Sequence, residues 1–216
     1  MPQVENFSDK IKQFGYANAG TLMIKKVLEK LGIFKHTYLV YKKKCNAATI
    51  SSITLPEGYH LKKLALSDFS AATHFLFRDS KLELFKKQLE NPAYHSYGIF
   101  KGDELAAYIW ISYSNIELPN PFNEGFYLPL EPNEGYQFDS FCHPTHRRKG
   151  LNAYLVHYGE KELINNKKDY AVSIIRRENK ASRGSWEKVG FKEDRKVMCT
   201  LWWGKKKICI ANFNTV

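Results

Sequence analysis

No stretch of this 216-residue chain stays apolar long enough to cross a bilayer. The longest candidate, Ile99 to Ile111, is broken by Lys101, Asp103 and Glu104. At the start, Met1 to Lys10 holds no basic segment followed by an apolar one, so no secretory signal is read there and cytoplasmic residence is expected. Cysteine is scarce: Cys45, Cys142, Cys199 and Cys209 stand far apart, with no C-x-x-C pair and no Cys/His cluster at metal-ligand spacing. They read as reduced, small apolar residues, and no metal is expected. Internal repeats and low-complexity tracts are missing, as are paired RNP-like aromatics, a helix-turn-helix and zinc fingers, so nucleic acid is not an expected partner.

What is present is enough apolar material for a core, 44% hydrophobic and 14% aromatic, which excludes intrinsic disorder and fibrous repeats. Charge is unevenly spread. Of the formal +11, residues 1–50 hold nine lysines against three acids, a surplus of six that leaves five for the remaining chain. Such a surface attracts phosphorylated ligands or anionic lipid. Peripheral membrane contact through Thr21 to Lys44 is one reading, and a solvated lysine surface is the other.

The pattern mixes helices and strands. Ala19 to Leu31 has helical spacing closed by Gly32, Thr37 to Tyr41 reads as a short strand, and Lys42 to Lys44 then exits to solvent. Cys45 to Ser52 is a linker, which divides a basic helix-strand extension, 1–50, from a main domain, 51–216. There Tyr59 to Leu64 is a strand, Ser67-Asp68 caps a helix over Phe69 to Phe77, and a second helix covers Leu82 to Leu89. Tyr97 to Phe100 and Leu105 to Ser112 form a hairpin around Lys101–Glu104. The Pro-rich segment Ile116 to Gly135 is a long loop of the kind that often binds ligands. A strand, helix, strand, helix succession comes after it: Tyr136 to Cys142, Gly150 to Asn165, Tyr170 to Ile175 and Lys180 to Val189, closed by Gly190. Val197 to Trp203 and Lys207 to Phe213 make a last hairpin, with Trp202 and Trp203 expected in the core.

The chemistry gathers at Phe138 to Gly150, FDSFCHPTHRRKG, where a strand runs into a basic turn and Gly150 opens an amphipathic helix. A helix start leaves several backbone N–H groups unpaired and aimed at one spot, which suits an anion. Arg147, Arg148 and Lys149 add charge, and a glycine lets the backbone approach a phosphate. An ordinary solvated turn gives the same four residues.

Together with the stretch from Asn179 to Phe191, the segment resembles the GNAT superfamily of acyl-CoA-dependent N-acyltransferases. Cys142-His143-Pro144 stands for its V-x-P, and Arg147-Arg148-Lys149-Gly150-Leu151-Asn152 for its Q/R-x-x-G-x-G/A. The second signature appears as Asn179, Ser182, Trp186 and Gly190-Phe191. The resemblance covers roughly Pro56 to Phe213 and departs at two places, Asn152 where Gly or Ala is usual and Trp186 where a tyrosine is common. It implies an α+β fold with a central mixed, largely antiparallel sheet flanked by helices. It further implies acetyl-CoA as donor, its pyrophosphate gripped by backbone amides at Cys142 and at Arg148, Lys149, Gly150, Leu151 and Asn152, with Phe141, Arg147, Asn179, Ser182 and Trp186 completing the cofactor site. Asn179 would contact pantetheine or cap its helix. The thioester arm would enter a V-shaped gap between the strands at Phe138 to Cys142 and Tyr170 to Ile175.

Acyl transfer to an amine needs a neutral nucleophile and a group to take its proton. Asp139 is the candidate base, with electrostatic substrate binding as its other reading; Tyr158 and Ser185 are candidate donors to the leaving thiolate. His143 and His146 flank the turn as structural or anion-contacting groups, able to titrate near neutral pH. Phe122, Phe126, Tyr127 and Tyr136 can form an acceptor pocket or cap the core. The expectation is an N-acetyltransferase for a small-molecule amine such as an amino sugar, amino acid or polyamine, working as monomer or homodimer. Two alternatives stand beside it: a non-catalytic binding module of the same fold, and an enzyme using a long-chain acyl-CoA or an acyl carrier protein.

Overall fold

The segment Leu105 to Ile111 is apolar at every position, so a strand made from it must be covered on both faces. In the computed structural model, which describes residues 28, 33–46, 54–117, 127–202 and 205–212, that strand is buried from Leu105 to Ile111 at the centre of a sheet. In chain order the elements are β1 (Ile33–Lys44), β2 (Tyr59–Lys63), α1 (Leu66–Ala71), α2 (Asp79–Glu90), β3 (Tyr94–Lys101), β4 (Glu104–Ser112), β5 (Asn115–Glu117) and β6 (Tyr127–Pro129). Then come β7 (Glu134–Cys142), α3 (Leu151–Asn165), β8 (Tyr170–Arg176), α4 (Lys180–Lys188), β9 (Lys192–Trp202) and β10 (Lys205–Asn212). Short 3-10 turns occupy Thr73–Phe75 and Pro144–His146.

The chain divides into two compact units, Val40–Asp194 and Met1–Leu39 with Arg195–Val216. In the first, the sheet runs β1 (from Val40), β8, β7, β4, β3, β2; the β2–β3, β3–β4 and β4–β7 pairs are antiparallel and β7–β8 is parallel. Helices α1 and α2 cover one face, where Phe69 stacks on Trp110 at 5.7 Å and packs with Phe85, Tyr108 and Phe138. Helix α3 covers the other. Alternation along β7 separates the two sets: Tyr136 and Phe138 face the aromatic core, while Gly135 and Gln137 face α3. The approach of α3 is close, since a Cβ on Gly135 would overlap Leu163 Cδ2 and one on Gly159 would stand 2.8 Å from Gln137 Nε2. The helix carrying the basic turn is thereby seated firmly on the strand that delivers it. The smaller unit holds the antiparallel β9–β10 hairpin, paired from Arg195↔Asn212 to Trp202↔Lys205.

Three expectations need correction. Lys42 and Lys43 do not exit to solvent: β1 continues through Lys44, and the two lysines pair with fully buried carboxylates, Lys42 with Glu134 at 2.7 Å and Lys43 with Glu160 at 2.6 Å. Their opposite directions are the period of a strand, hidden in a run that looks solvated. The helix begun near Asp68 stops at Ala71, because Ala72 leaves the helical region at φ −78 and ψ 58, and the 3-10 turn that follows it ends at Leu76, left-handed at φ 51. Trp202 is 63% exposed rather than core. The expected helix at Ala19 to Leu31, most of the linker Cys45 to Ser52, and Trp203 lie outside the described residues. All four cysteines are free thiols, and burial pushes the Cys45 thiol up to about 12 and that of Cys199 to about 11. Among the described residues no helix is long and apolar enough to cross a membrane and no metal-holding cluster occurs.

Candidate active site

Strands β7 and β8 pair only from Glu134↔Tyr170 to Tyr136↔Val172. Beyond that point both continue, β7 to Cys142 and β8 to Arg176, without a ladder between them. A parallel pair that parts leaves an opening flanked by unpaired backbone groups, and here it meets the N-termini of α3 and α4.

A second irregularity lies on the other edge of β7. Its register against β4 shifts between Tyr108↔Phe141 and Trp110↔Phe138, so one extra residue is accommodated on β7, and Asp139 sits there with φ 45. This is a β-bulge. Aspartate tolerates the left-handed region better than most residues. Strict alternation from Gln137 would aim Asp139 at α3; instead its Oδ2 accepts from Lys81 Nζ of α2 at 2.6 Å and its Oδ1 lies 3.5 Å from Tyr108 Oη, on the aromatic face. Burial, with Asp139 beside it, pushes the Tyr108 phenol far above its ordinary range. Past the bulge, Phe141 packs against Phe75 at 5.5 Å, while Ser140 and Cys142 stand on the wall of a cavity.

The basic turn leaves β7 with His143 N donating to Ala106 O at 2.9 Å, runs through the 3-10 turn, and bends back so that Arg147 Nε donates to Cys142 O at 3.2 Å. Arg148 and Gly150 both take positive φ, 63 and 76, before α3 begins. A Cβ at Gly150 would meet nothing within 4 Å, so the glycine answers to backbone conformation and to open space above it. Asn179 caps α4, its Oδ1 accepting from Ser182 N at 3.1 Å. Helix α4 is tied to β1 through Arg183 Nε, which donates to Tyr41 Oη at 2.9 Å.

These elements enclose the cavity, whose volume is about 550 Å³. On its wall stand Phe141, Cys142, Arg147, Arg148, Gly150, Leu151, Asn152, Asn179, Ser182 and Trp186, every expected donor-site residue except Lys149, together with Ser185. Trp186 is 4% exposed and held edge-on against Phe191 at 4.7 Å. Burial raises the Cys142 thiol against the pull of Arg147 and Lys149, leaving a poor nucleophile. Burial depresses His143, and its neighbours His74 and His146 depress it further.

Other expected residues fall elsewhere. Tyr158 stands off the cavity wall, packed on Tyr97 at 4.9 Å, and burial and Glu162 push its phenol up to about 12. Tyr136 is buried and stacked on Phe138 at 4.8 Å. Phe122 and Phe126 lie outside the described residues, and of Tyr127 only its place in β6 is described. Sequence reasoning missed Lys81 and Tyr108, which reach Asp139 from α2 and β4; neither carried a local motif.

The profile of the acetyltransferase (GNAT) family matches residues 60–191. Among solved structures, the chain is similar to a tandem GNAT protein from the clavulanic acid biosynthesis pathway, 12% identical over 87% of this chain and 57% of that one, with a TM-score of 0.55. It is also similar to a Drosophila protein, 16% identical over 89% and 59%, TM-score 0.52. A GNAT-family protein from Novosphingobium aromaticivorans is 14% identical over 78% and 65%, TM-score 0.50. The chain thus spans less than two thirds of the length of each of these three, and at such identities the likeness concerns the fold. No curated protein matches the sequence. The chain belongs to the acetyltransferase (GNAT) family.

Proposed function

We propose that the protein is an N-acetyltransferase that moves an acetyl group from acetyl-CoA to a primary amine of a small molecule. The observation that carries the reading is the parting of β7 and β8 after Tyr136↔Val172, beside a cavity into which two helix N-termini open. Backbone amides of the first turn of α3 and the charges of Arg147 and Arg148 suit a diphosphate, and the gap suits a narrow thioester arm. In the reaction, the lone pair of the neutral amine attacks the thioester carbonyl, the C–S bond breaks, and coenzyme A leaves as thiolate. The amine's surplus proton goes to water or to Asp139, whose carboxylate is set on the far face of β7 from the cavity by the bulge. Orientation of amine and thioester on one strand supplies much of the rate.

The acceptor side supports a narrower substrate class. Against Tyr108, which neighbours Asp139, pack half-buried Phe75 and Phe77 and Phe141 at 39% exposure, with Leu76, 81% exposed, between the first two in the chain, and the carboxylate is already paired with Lys81. A polycation such as a polyamine or aminoglycoside would find little negative charge among these residues. An amine with an apolar body finds surface to bury. The test is release of coenzyme A thiol from acetyl-CoA with a panel of aryl- and alkylamines, amino acids, polyamines and amino sugars. Turnover with the apolar amines is expected; calorimetry showing no acetyl-CoA binding would overturn the reading.

A further inference from the structure

Of the three cations Arg147, Arg148 and Lys149, Lys149 does not reach the cavity wall, on which His146 also stands. Its Nζ donates to Tyr59 Oη of β2 at 2.9 Å and lies 5.5 Å from the centre of that ring. Tyr59 Oη is in turn 2.9 Å from His146 Nδ1, and His146 Nε2 is 3.2 Å from Glu104 Oε1 at the start of β4. The His146 ring is buried, 5% exposed, and stands edge-on to Tyr59 at 5.8 Å.

Chemistry gives this chain a direction. A carboxylate only accepts, and the bond from His146 holds Glu104 below its usual range, so Nε2 carries the hydrogen. In the neutral ring Nδ1 then accepts the Tyr59 hydroxyl hydrogen, and the phenol oxygen keeps lone pairs for Lys149. Four side chains from β2, β4 and the turn therefore run donor to acceptor from Lys149 to Glu104. The backbone they hold is strained. Arg148 stands between the two anchored residues, His146 and Lys149, with φ 63, a conformation that disfavours a side chain with a Cβ, and Gly150 follows directly after Lys149.

We propose that Tyr59 and His146 are positioning residues: with Glu104 behind them they anchor Lys149 to β2, and so fix Arg148 and Gly150 in the cradle conformation before the donor arrives. Lys149 acts as a strut for the turn, and the phosphate contacts fall to Arg147, Arg148 and the amides. This rests on reading the cavity as the acetyl-CoA site and adds how that site is preorganised; a loop already ordered loses less entropy on binding.

The experiment measures acetyl-CoA affinity by calorimetry and steady-state kinetics for Tyr59→Phe, Lys149→Met and the double variant. Each single change is expected to raise the donor KM about fivefold, with kcat at saturating donor within about twofold, and the double is expected to be no worse than the worse single. A silent Tyr59→Phe beside a damaging Lys149→Met would make Lys149 a direct phosphate ligand and overturn the proposal, as would additive effects. Amide hydrogen exchange of residues 147–152 in ligand-free protein reads the anchor independently of any donor. Tyr59→Phe and Glu104→Gln are both expected to speed that exchange severalfold while the melting temperature moves little. Unchanged exchange sinks the positioning role even where acetyl-CoA binds, and faster exchange in a protein that binds no acetyl-CoA upholds the anchor while the donor assignment fails.

Discussion

Asn152 Nδ2 donates to Ser185 Oγ at 3.3 Å, which joins the first turn of α3 to the second turn of α4 across the cavity. Where the family usually places Gly or Ala, this chain has a side chain that bridges the two helices. A neutral, part-buried hydrogen bond contributes about 1 kcal/mol. A double-mutant cycle of Asn152→Ala and Ser185→Ala in urea unfolding should therefore return a coupling of that order. Ser185→Ala should leave kcat within about threefold, since a coenzyme A thiolate needs little help to leave at neutral pH. A fall of a hundredfold would instead make Ser185 the proton donor.

Gly150 offers a cleaner test of the cradle. Its φ of 76 strains any side chain, and nothing in the protein within 4 Å would oppose one sterically. Gly150→Ala should then weaken acetyl-CoA binding by about fivefold through backbone strain alone. Gly150→Glu adds a carboxylate where the diphosphate would lie, and should abolish binding in calorimetry. Equal affinity of both variants and the unaltered protein would move the donor site elsewhere.

How much of this was legible in the sequence depended on whether the signal was local. The turn around Gly150, the cap Asn179 and the start of α3 are written in consecutive residues, and the structure brings them to one cavity. The lysine run at 42–44 misled because a strand's alternation sends neighbouring residues to opposite faces, where buried Glu134 and Glu160 wait from distant segments. The local pattern marks Asp139, yet its direction depends on a bulge defined by register against β4, and its partner Lys81 is 58 residues away. Long-range pairing of that kind leaves no mark in a local pattern.

The Asp139 carboxylate stands on the aromatic face of the sheet, the side proposed above for the acceptor, 2.6 Å from Lys81 Nζ. Replacing it by Asn keeps the shape and the bulge but removes the charge that would receive or attract the amine. Asp139→Asn should lower kcat by at least about tenfold, in the range of a lost general base, while donor affinity stays within twofold. Lys81→Met should raise the acceptor KM less than it changes kcat. Full activity in Asp139→Asn would remove Asp139 from the mechanism.

At the start of α1, Asp68 Oδ2 accepts from Ala65 N at 2.8 Å and its Oδ1 from Lys62 Nζ at 2.6 Å. Burial alone would raise its pKa, but the amide and the ammonium outweigh it and hold the carboxyl below its ordinary value. A depressed folded pKa means stability present above the unfolded value and lost as pH falls through the folded one. Asp68→Ala should thus cost about 1 kcal/mol at pH 7, the scale of a helix cap, and the gap to the unaltered protein should narrow as pH falls below the ordinary aspartate range. A pH-independent difference in denaturant midpoint would show that the carboxylate's charge has no part in it.

Leu76 is 81% exposed and left-handed at φ 51, between Phe75 and Phe77 at the edge of the aromatic face. Neither feature helps the fold: the side chain covers nothing, and the backbone carries a strain that glycine would relieve. Strained residues of this kind persist where they serve a site. Leu76→Gly should accordingly raise stability by about 0.5–1 kcal/mol, read as a higher denaturant midpoint, because the left-handed conformation suits it. The same change should raise the acceptor KM for an aryl- or alkylamine severalfold and leave the KM for a polyamine or amino sugar unmoved, since only an apolar body gains from Leu76. If stability rises while every acceptor KM stays constant, the apolar-acceptor reading loses its support, and the face around Phe75 and Phe141 is simply the outer layer of the core.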